Sequence, residues 1–212
     1  MPRMRRAIFI DALGTLLWLA PPWERIDPEA VRGVEPERVR TGFLAEMSYY
    51  REHVSEGADR ASLADLRGRC AAVLSDELGR EIAVETMLEA LHFTAFEDAE
   101  PALKELSELD VALICVSNWD RSLTEVLERL QLGHWFDGIV TSASAGASKP
   151  SPKIFGPALE LAACEPSEAL HVGDTADDLE AARAAGIGAL LIDRAGAGDI
   201  ASLAEIREHP GP

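Results

Sequence analysis

Short apolar runs alternate with longer amphipathic segments through the second half of the chain. The apolar runs predict strands at 111–116, 138–141, 169–172 and 189–192. Between them, apolar residues spaced three and four apart predict helices at 122–130, 152–164 and 177–185, with Gly133 and Gly186 as their C-terminal stops. Strands that alternate with helices in this way indicate a parallel sheet covered by helices on both faces, an α/β fold.

The region between the first strand and residue 92 has a different pattern. Pro21 and Pro22 interrupt the chain, and helices are predicted at 36–53, 61–78 and 84–91. The first helix carries an apolar stripe of Val39, Phe43 and Met47, which Tyr50 extends. We therefore expect an inserted helical unit. Its aromatic residues more often pack a core than line an apolar pocket; those considered are Trp18, Trp23, Phe43, Tyr49 and Tyr50.

Length and charge limit the class of partner. The chain has 212 residues and a net charge of −17, from 37 acidic and 20 basic side chains. This charge argues against a nucleic acid or an anionic membrane as partner, and no apolar run reaches the roughly 18 residues that a membrane span needs. A phosphate site would need a local positive element, and lysine occurs only at Lys104, Lys149 and Lys153.

Cysteine usage and the N-terminus predict a cytoplasmic protein. Cys70, Cys115 and Cys164 are far apart and form no Cys-x-x-Cys pair, so we expect free thiols in a reducing compartment. Arg3 and the arginines that follow it precede an apolar stretch, as in a signal peptide. Asp11 interrupts that stretch, which argues against secretion.

The first strand ends on a carboxylate. The run 8–16 places Asp11 directly after apolar residues, and Gly14 and Thr15 follow in a turn. Open α/β sheets place their ligands at the carboxyl ends of strands, where an Asp can act as a nucleophile. The alternative is a strand followed by an ordinary polar turn.

Two more polar groups follow predicted strands. Ser117 and Asn118 come directly after the strand 111–116 and offer a hydroxyl, an amide and backbone N–H groups to an anion, although they could merely cap a helix. Lys149 follows the stretch 142–148, which we expect to be flexible, and could bring one ammonium to the same edge. A lysine in a loop is otherwise simply solvated.

The last group is a cluster of three carboxylates. Asp174, Asp177 and Asp178 lie within five residues, directly after the strand 169–172. Such a cluster favours a cation, and hard oxygen ligands suit Mg²⁺. The alternative is helix capping, which one of Asp177 and Asp178 could do alone.

These four groups, in this order, resemble the four motifs of the haloacid dehalogenase-like (HAD) hydrolase superfamily. The resemblance implies a Rossmann-like α/β core at 1–20 and 93–212, with an α-helical cap inserted at 21–92. It also implies that Asp11 is the nucleophile, that Ser117 and Asn118 hold the transferred group, and that Lys149 steadies its charge. By the same resemblance, Mg²⁺ would be held by Asp11, Asp174, Asp178 and the main-chain carbonyl of Leu13. We further expect the Thr15 hydroxyl to orient Asp11.

One position departs from the pattern of the family's phosphatases. They carry a second Asp two residues after the nucleophile as general acid and base, and this chain has Leu13 there. General acid catalysis typically contributes about 10²–10⁴-fold, or about 3–5 kcal/mol of barrier. The resemblance therefore predicts a slow or selective Mg²⁺-dependent phosphatase for a small phosphorylated metabolite, acting through an aspartyl-phosphate.

Two other functions stay open at this point. A 2-haloacid dehalogenase needs no general acid, but it also needs no acidic pair at the metal site, and it uses a cap arginine, for which Arg40 and Arg51 are candidates. A non-catalytic HAD-like binding protein is the other alternative. A phosphonatase would need a cap lysine, and no lysine precedes Lys104. Whether the protein is a monomer or a homodimer is left open.

Overall fold

The structure is a computed structural model that describes residues 5–209. Residues 1–4, with Arg3 of the basic N-terminal segment, and residues 210–212 lie outside the described residues. The described chain forms seven strands: β1 (Ala7–Ile10), β2 (Leu17–Leu19), β3 (Phe93–Ala95), β4 (Ala112–Ser117), β5 (Gly138–Thr141), β6 (Ala169–Gly173) and β7 (Gly188–Leu191).

The main sheet is parallel, as predicted. Its five strands lie in the order β5-β4-β1-β6-β7, so β1 is central and β4 and β6 are its neighbours. Ile10 lies opposite Cys115 on β4 and Val172 on β6. The carboxyl ends of these three strands therefore meet at one edge, which brings the residues after them together.

Eight α-helices accompany the strands in the described chain: α1 (Pro36–His53), α2 (Arg60–Leu78), α3 (Val84–Ala90), α4 (Ala99–Ser107), α5 (Leu123–Arg129), α6 (Ser142–Ala145), α7 (Gly156–Ala162) and α8 (Ala176–Ala184). Most predicted bounds differ from these by one residue. The predicted helix 152–164 is instead a 3₁₀ turn, Pro152–Phe155, followed by α7. Pro157 has no N–H to donate, so a regular α-helix cannot continue across this point.

Three local features differ from the sequence prediction. The stretch 142–148, expected to be flexible, begins with the short helix α6, whose N-terminus is capped by Thr141 with Ser144. The turn after α5 takes its left-handed residue at Gln131 (φ 58°) rather than at Gly133. Strands β2 and β3 pair as an antiparallel ribbon that was not predicted, because three residues carry too little periodicity.

Alternation along β1 builds a core on both faces of the sheet. Ile8 and Ile10 join one cluster of buried residues, whereas Ala7 and Phe9 join another. All four side chains are at most 1% exposed. A strand buried on both faces leaves only its end in contact with ligands.

Residues 21–92, the helical unit, have a core of their own. Helices α1 and α2 pack together around a cluster that includes Phe43, Leu66 and Leu74, all fully buried. The β2–β3 ribbon joins the helical unit to the rest of the chain at both of its ends. In the described residues, no helix has the length and apolar character needed to cross a membrane.

Two neighbouring residues of α1 test this packing. Phe43→Ala should lower the free energy of unfolding by about 3–5 kcal/mol, because it leaves a cavity in a closed cluster. Leu44→Ala is the control, since Leu44 is 46% exposed, and it should cost less than about 1 kcal/mol. Urea unfolding measures both values, and equal losses would contradict the assignment of Phe43 to the core.

Candidate active site

Asp11 lies directly after β1, at the centre of the strand edge. Its backbone N–H donates to the Val172 carbonyl at 2.9 Å, which continues the ladder with β6 by one residue. The side chain is 5% exposed. The chain then turns sharply, because the N–H groups of Leu16 and Leu17 both donate to the Ala12 carbonyl. Asp11 is therefore held rigidly where the sheet ends.

Gly14 makes this turn possible. Its φ is +89°, a conformation that side chains strongly disfavour. A Cβ at this position would overlap the carboxylate of Asp174. The missing side chain therefore allows Asp174, which follows β6, to approach the turn that follows β1.

The Lys149 ammonium lies between two carboxylates. Its Nζ donates to Asp11 Oδ1 and to Asp178 Oδ1, each at 2.5 Å, and to the Val116 carbonyl at 3.0 Å. All three charged side chains are at most 7% exposed. Buried ionic groups need such pairing, because an isolated charge in the interior is costly.

Asn118 fixes the backbone of Lys149. Its Oδ1 accepts from the Lys149 N–H at 2.8 Å, and its Nδ2 donates to the Lys149 carbonyl at 2.9 Å. Both ends of the amide are thus occupied by main-chain groups of one residue. The Asn118 amide therefore holds the Lys149 loop in place, and the expected contact of Asn118 with a transferred group stays a prediction for its backbone N–H.

Asp178 uses both of its oxygens within the protein. Oδ1 accepts from Lys149 and from Nε2 of His171 at 2.9 Å, while Oδ2 accepts from the Thr175 N–H at 3.1 Å and hydroxyl at 2.5 Å. The contacts with Thr175 form the capping box of α8. A Cβ on Gly173 would overlap this side chain. Asp178 therefore has two positions to serve: it caps α8, and it also faces the candidate site.

The charged groups of this network shift one another's pKa values. Burial raises the pKa of Asp11 to about 6, although the Lys149 charge opposes the rise. Burial alone would lower the pKa of Lys149, but Asp11 and Asp178 outweigh it and raise the pKa. Burial likewise opposes the net fall in the pKa of Asp178, which the hydrogen bond from His171 and the Lys149 charge produce. Burial lowers the pKa of His171, which favours a neutral imidazole.

Three carboxylates converge on one point. Oxygens of Asp11, Asp174 and Asp178 all lie within 4.8 Å of one another. Asp174 Oδ1 is buried without a hydrogen-bond partner, and burial followed by the Asp178 charge raises the Asp174 pKa. Asp177 is exposed and stays outside this group. An oxygen-rich cluster with a free buried oxygen suits a hard cation such as Mg²⁺.

A cavity of about 800 Å³ opens from this edge towards the helical unit. Leu13 and Ser117 line it beside the charged residues, and Ser117 is 2% exposed. The opposite wall of the cavity is formed by residues of the helical unit, among them Glu46, Met47, Tyr50, Arg51, Arg67, Cys70, Met87, Leu88 and Leu91. The volume is that of a typical site for a small organic ligand.

The structure contradicts the role expected of the Thr15 hydroxyl. Thr15 is fully buried, and its hydroxyl makes no hydrogen bond among the described residues, so it does not orient Asp11 through a hydrogen bond. Its carbonyl accepts instead from Arg194 Nη2 at 2.7 Å. Arg194 lies over the Phe96 ring at 3.7 Å and pairs with Asp98 at 2.9 Å. Arg194 therefore supports the turn after Asp11.

Of the five aromatic residues considered for a pocket, Tyr50 alone lines the cavity. Phe43 is buried in the helical unit, Trp18 is 41% exposed, Trp23 lies under Arg40, and Tyr49 stacks on His53. Between the candidate arginines, Arg51 lines the cavity, whereas Arg40 pairs with Glu37 on the surface.

Tyr50 links the helical unit to the sheet. Its hydroxyl donates to Asp120 Oδ2 at 2.9 Å, and Asp120 is 3% exposed. Burial and the Asp120 carboxylate raise the pKa of Tyr50 well above its usual value, so the phenol stays protonated. Nearby, the Arg121 N–H donates to the Gly57 carbonyl at 3.1 Å. The helical unit thus closes one side of the cavity through these contacts.

Sequence reasoning missed four residues of this region: Glu46, Asp120, His171 and Arg194. His171 was visible as a single polar residue in an apolar strand, and Asp120 lies two residues beyond Asn118. Neither Glu46 nor Arg194 carries a local signal, because exposed residues of both types are common on helices and in loops.

Comparison with known proteins gives a consistent result. A family model described as haloacid dehalogenase-like hydrolase matches residues 5–186. The chain is 41% identical over 97 residues to haloacid dehalogenase-like hydrolase domain-containing protein 3 of Bos taurus, a match that covers 45% of this chain and 39% of that protein. The chain thus spans less than half of that relative's length.

Two further similarities extend over nearly the whole chain. Glyceraldehyde 3-phosphate phosphatase of Methanopyrus kandleri is 30% identical, over 90% of this chain and 85% of that protein. The crystal structure of a HAD phosphatase from Thermococcus onnurineus has a TM-score of 0.72 at 25% identity, and the match covers 96% of each chain. The arrangement of the sheet and the helical unit is therefore shared with known structures.

Two glycines with positive φ test the close approach of Asp174. Gly33 has φ +80°, and a Cβ there would meet open space, so Gly33→Ala should cost about 1–2 kcal/mol from backbone strain alone. Gly14→Ala should cost more, because its Cβ also displaces the Asp174 carboxylate. Urea unfolding compares the two, and an equal loss would contradict the overlap.

Two lysines test the buried ion pairs. Lys149→Met should lower the free energy of unfolding by about 3–5 kcal/mol at neutral pH, because it leaves two buried carboxylates without their cation. Lys153→Met is the control; Lys153 is exposed, and its replacement should change the value by less than about 0.5 kcal/mol. Unfolding is measured in EDTA, and a stable Lys149→Met would contradict the pairing.

Proposed function

The chain belongs to the haloacid dehalogenase-like hydrolase family, and on this premise we propose that it is a phosphatase that hydrolyses a small phosphorylated metabolite. Asp11 is the proposed nucleophile. The observation that carries the proposal is the position of Asp11, at the end of the central strand, bonded to Lys149 and open to a cavity of about 800 Å³. The phosphatases among the similar proteins support the same chemistry.

We propose Mg²⁺ as the cofactor, held by Asp11, Asp174, Asp178 and the main-chain carbonyl of Leu13. The free buried oxygen of Asp174 and the 4.8 Å spread of the three carboxylates support this assignment. When bound, the ion offsets the repulsion between these carboxylates and a phosphate dianion. Asp178 is the proposed second ligand of the acidic motif, since Asp177 lies outside the cluster.

In the first step, a carboxylate oxygen of Asp11 attacks phosphorus, and the bond from phosphorus to the ester oxygen breaks. The leaving group departs with the electron pair of that bond, and an aspartyl-phosphate forms. In this proposal, Ser117 at the end of β4 and the Lys149 ammonium, which both line the cavity, stabilise the charge on the transferred group. Water then attacks phosphorus, and the bond from phosphorus to the Asp11 oxygen breaks with its electron pair on the carboxylate. One proton of the water passes to solvent, phosphate is released, and Asp11 is restored.

Because Leu13 cannot act as a general acid, the acidity of the leaving group determines which esters are hydrolysed well. The side chain at this position carries no proton for the departing oxygen, so the group must leave as an anion or take a proton from water. Esters with acidic leaving groups, such as aryl phosphates, are therefore the best substrates. This is why we propose a selective enzyme rather than a general one.

Dehalogenation is the second candidate, and Leu13 and Arg51 favour it. An alkyl halide needs no proton as it leaves, and Arg51 lines the cavity from the helical unit. The acidic pair of Asp174 and Asp178 favours the phosphatase, because a 2-haloacid dehalogenase works without a metal and has no need of carboxylates that could hold one. A non-catalytic role is weaker, since a scaffold has no need of buried like charges.

We also propose that residues 21–92 act as a cap and that 1–20 and 93–212 form the core domain. The hydrogen bond from Tyr50 to Asp120 joins the two and supports a closed cavity in which water is excluded during reaction. A cytoplasmic location is proposed from the free thiols of Cys70, Cys115 and Cys164. The substrate is a small molecule, with no nucleic acid or membrane as partner.

Turnover of three compounds tests the proposal: 4-nitrophenyl phosphate, propyl phosphate and 2-chloropropionate, each with Mg²⁺ and with EDTA. The aryl ester should be hydrolysed only with Mg²⁺, and the alkyl ester about 10²–10⁴-fold more slowly because Leu13 donates no proton. Asp11→Asn should lower the aryl rate by at least about 10³-fold, because it removes the nucleophile.

Asp177→Asn is the matched control, since it removes an exposed carboxylate beside the cluster and should keep most of the activity. A folded and fully active Asp11→Asn would refute the mechanism. Release of chloride in EDTA would identify a dehalogenase, and a wild-type protein inactive on all three compounds would count against catalysis.

A further inference from the structure

Glu46 is a buried carboxyl group in the helical wall of the cavity. It lies on α1, is 4% exposed, and lines the same cavity as Asp11. It belongs to none of the motifs at the ends of the strands. Neither nucleophilic attack nor hydrolysis of the aspartyl-phosphate uses it.

No cation of the described chain pairs with Glu46. The ion pairs between residues 5 and 209 involve other carboxylates. Its side-chain neighbour is the Cys70 thiol on α2, a weak donor. The side chain is nearly fully buried, and this loss of solvation raises the pKa of Glu46. The protein thus keeps a carboxyl group in a place where it lacks a strong donor.

The helical wall of the cavity carries several apolar residues besides Glu46. Met47, Met87, Leu88 and Leu91 line the cavity from the helical unit. Arg51 and Arg67 also line it, but neither forms an ion pair with Glu46. Ligand cavities of this kind use a few polar groups to fix the orientation of an otherwise apolar contact. Glu46 is therefore placed to select a ligand by one directed hydrogen bond.

We propose that Glu46 binds a hydrogen-bond donor, an ammonium or a hydroxyl group, on the leaving group of the phosphorylated substrate. This inference rests on the proposed phosphatase function, with the phosphoryl group at Asp11 and the rest of the substrate directed towards the helical unit. A donor on the ligand supplies the partner that the chain does not provide. An ester without such a group leaves the carboxylate unpaired and is disfavoured.

Three esters of similar size separate the possibilities: 2-aminoethyl phosphate, 2-hydroxyethyl phosphate and propyl phosphate. Binding is measured by calorimetry with Mg²⁺ on Asp11→Asn, because that variant does not turn the esters over and alkyl esters are poor substrates. At least one of the first two should bind about tenfold or more tightly than propyl phosphate. The ester that gains identifies the donor as an ammonium or a hydroxyl.

In the Asp11→Asn background, Glu46→Gln should reduce any preference for 2-aminoethyl phosphate over propyl phosphate by about tenfold. Glu46→Leu should remove the preference for either donor, and it should fold well, because it replaces a buried charge by an apolar side chain. Glu52→Gln is the control on the same helix; Glu52 is exposed, and its replacement should change no binding constant.

The outcomes separate this inference from the proposed function. Equal binding of the three esters, binding of none of them, or a preference that survives Glu46→Leu would each overturn the role of Glu46. Hydrolysis of 4-nitrophenyl phosphate by the wild-type protein reports on the phosphatase alone, because an aryl group presents no donor to Glu46. A phosphatase that shows no preference among the alkyl esters would therefore keep its function and lose only this subsite.

Discussion

The buried Lys149 ammonium holds the site together. It bonds to Asp11 after β1, to Asp178 on α8 and to the carbonyl of Val116 on β4, so it joins three neighbouring parts of the sheet edge. Without it, two carboxylates would share a desolvated space at a high electrostatic cost. Asn118 in turn fixes Lys149 by its main chain. The rest of the site is arranged around this one cation.

Much of the framework could be predicted from the sequence, because hydrophobic periodicity is a local property. The run before Asp11 predicted a buried strand, and β1 lies there with its side chains divided between two cores. The four polar groups all follow strands of one parallel sheet. Topology therefore brings Asp11, Asp174 and Asp178 within 4.8 Å, although more than 160 residues of sequence separate the first from the others.

The details that could not be predicted depend on contacts between distant residues. The amide of Asn118 is bonded to the main chain of Lys149, and the buried Thr15 hydroxyl has no hydrogen-bond partner among the described residues. The residue type alone allows each of these groups several hydrogen-bond partners. The partner is determined by the packing of the folded chain. Glu46 is the clearest case, because its sequence context is that of an exposed helix residue and its position is nearly fully buried.

The contact of Arg194 with the carbonyl of Thr15 has a consequence for synthesis of the protein on the ribosome. Asp11 is synthesised before Lys149, Asp178 and Arg194, which all lie more than 130 residues further along the chain. The strand that carries Asp11 needs both β4 and β6 as neighbours, so it cannot be completed by the N-terminal half. A nascent chain therefore carries the Asp11 carboxylate before its partner Lys149 exists, and the ion pairs and the contact with Arg194 form only after those later residues have been synthesised.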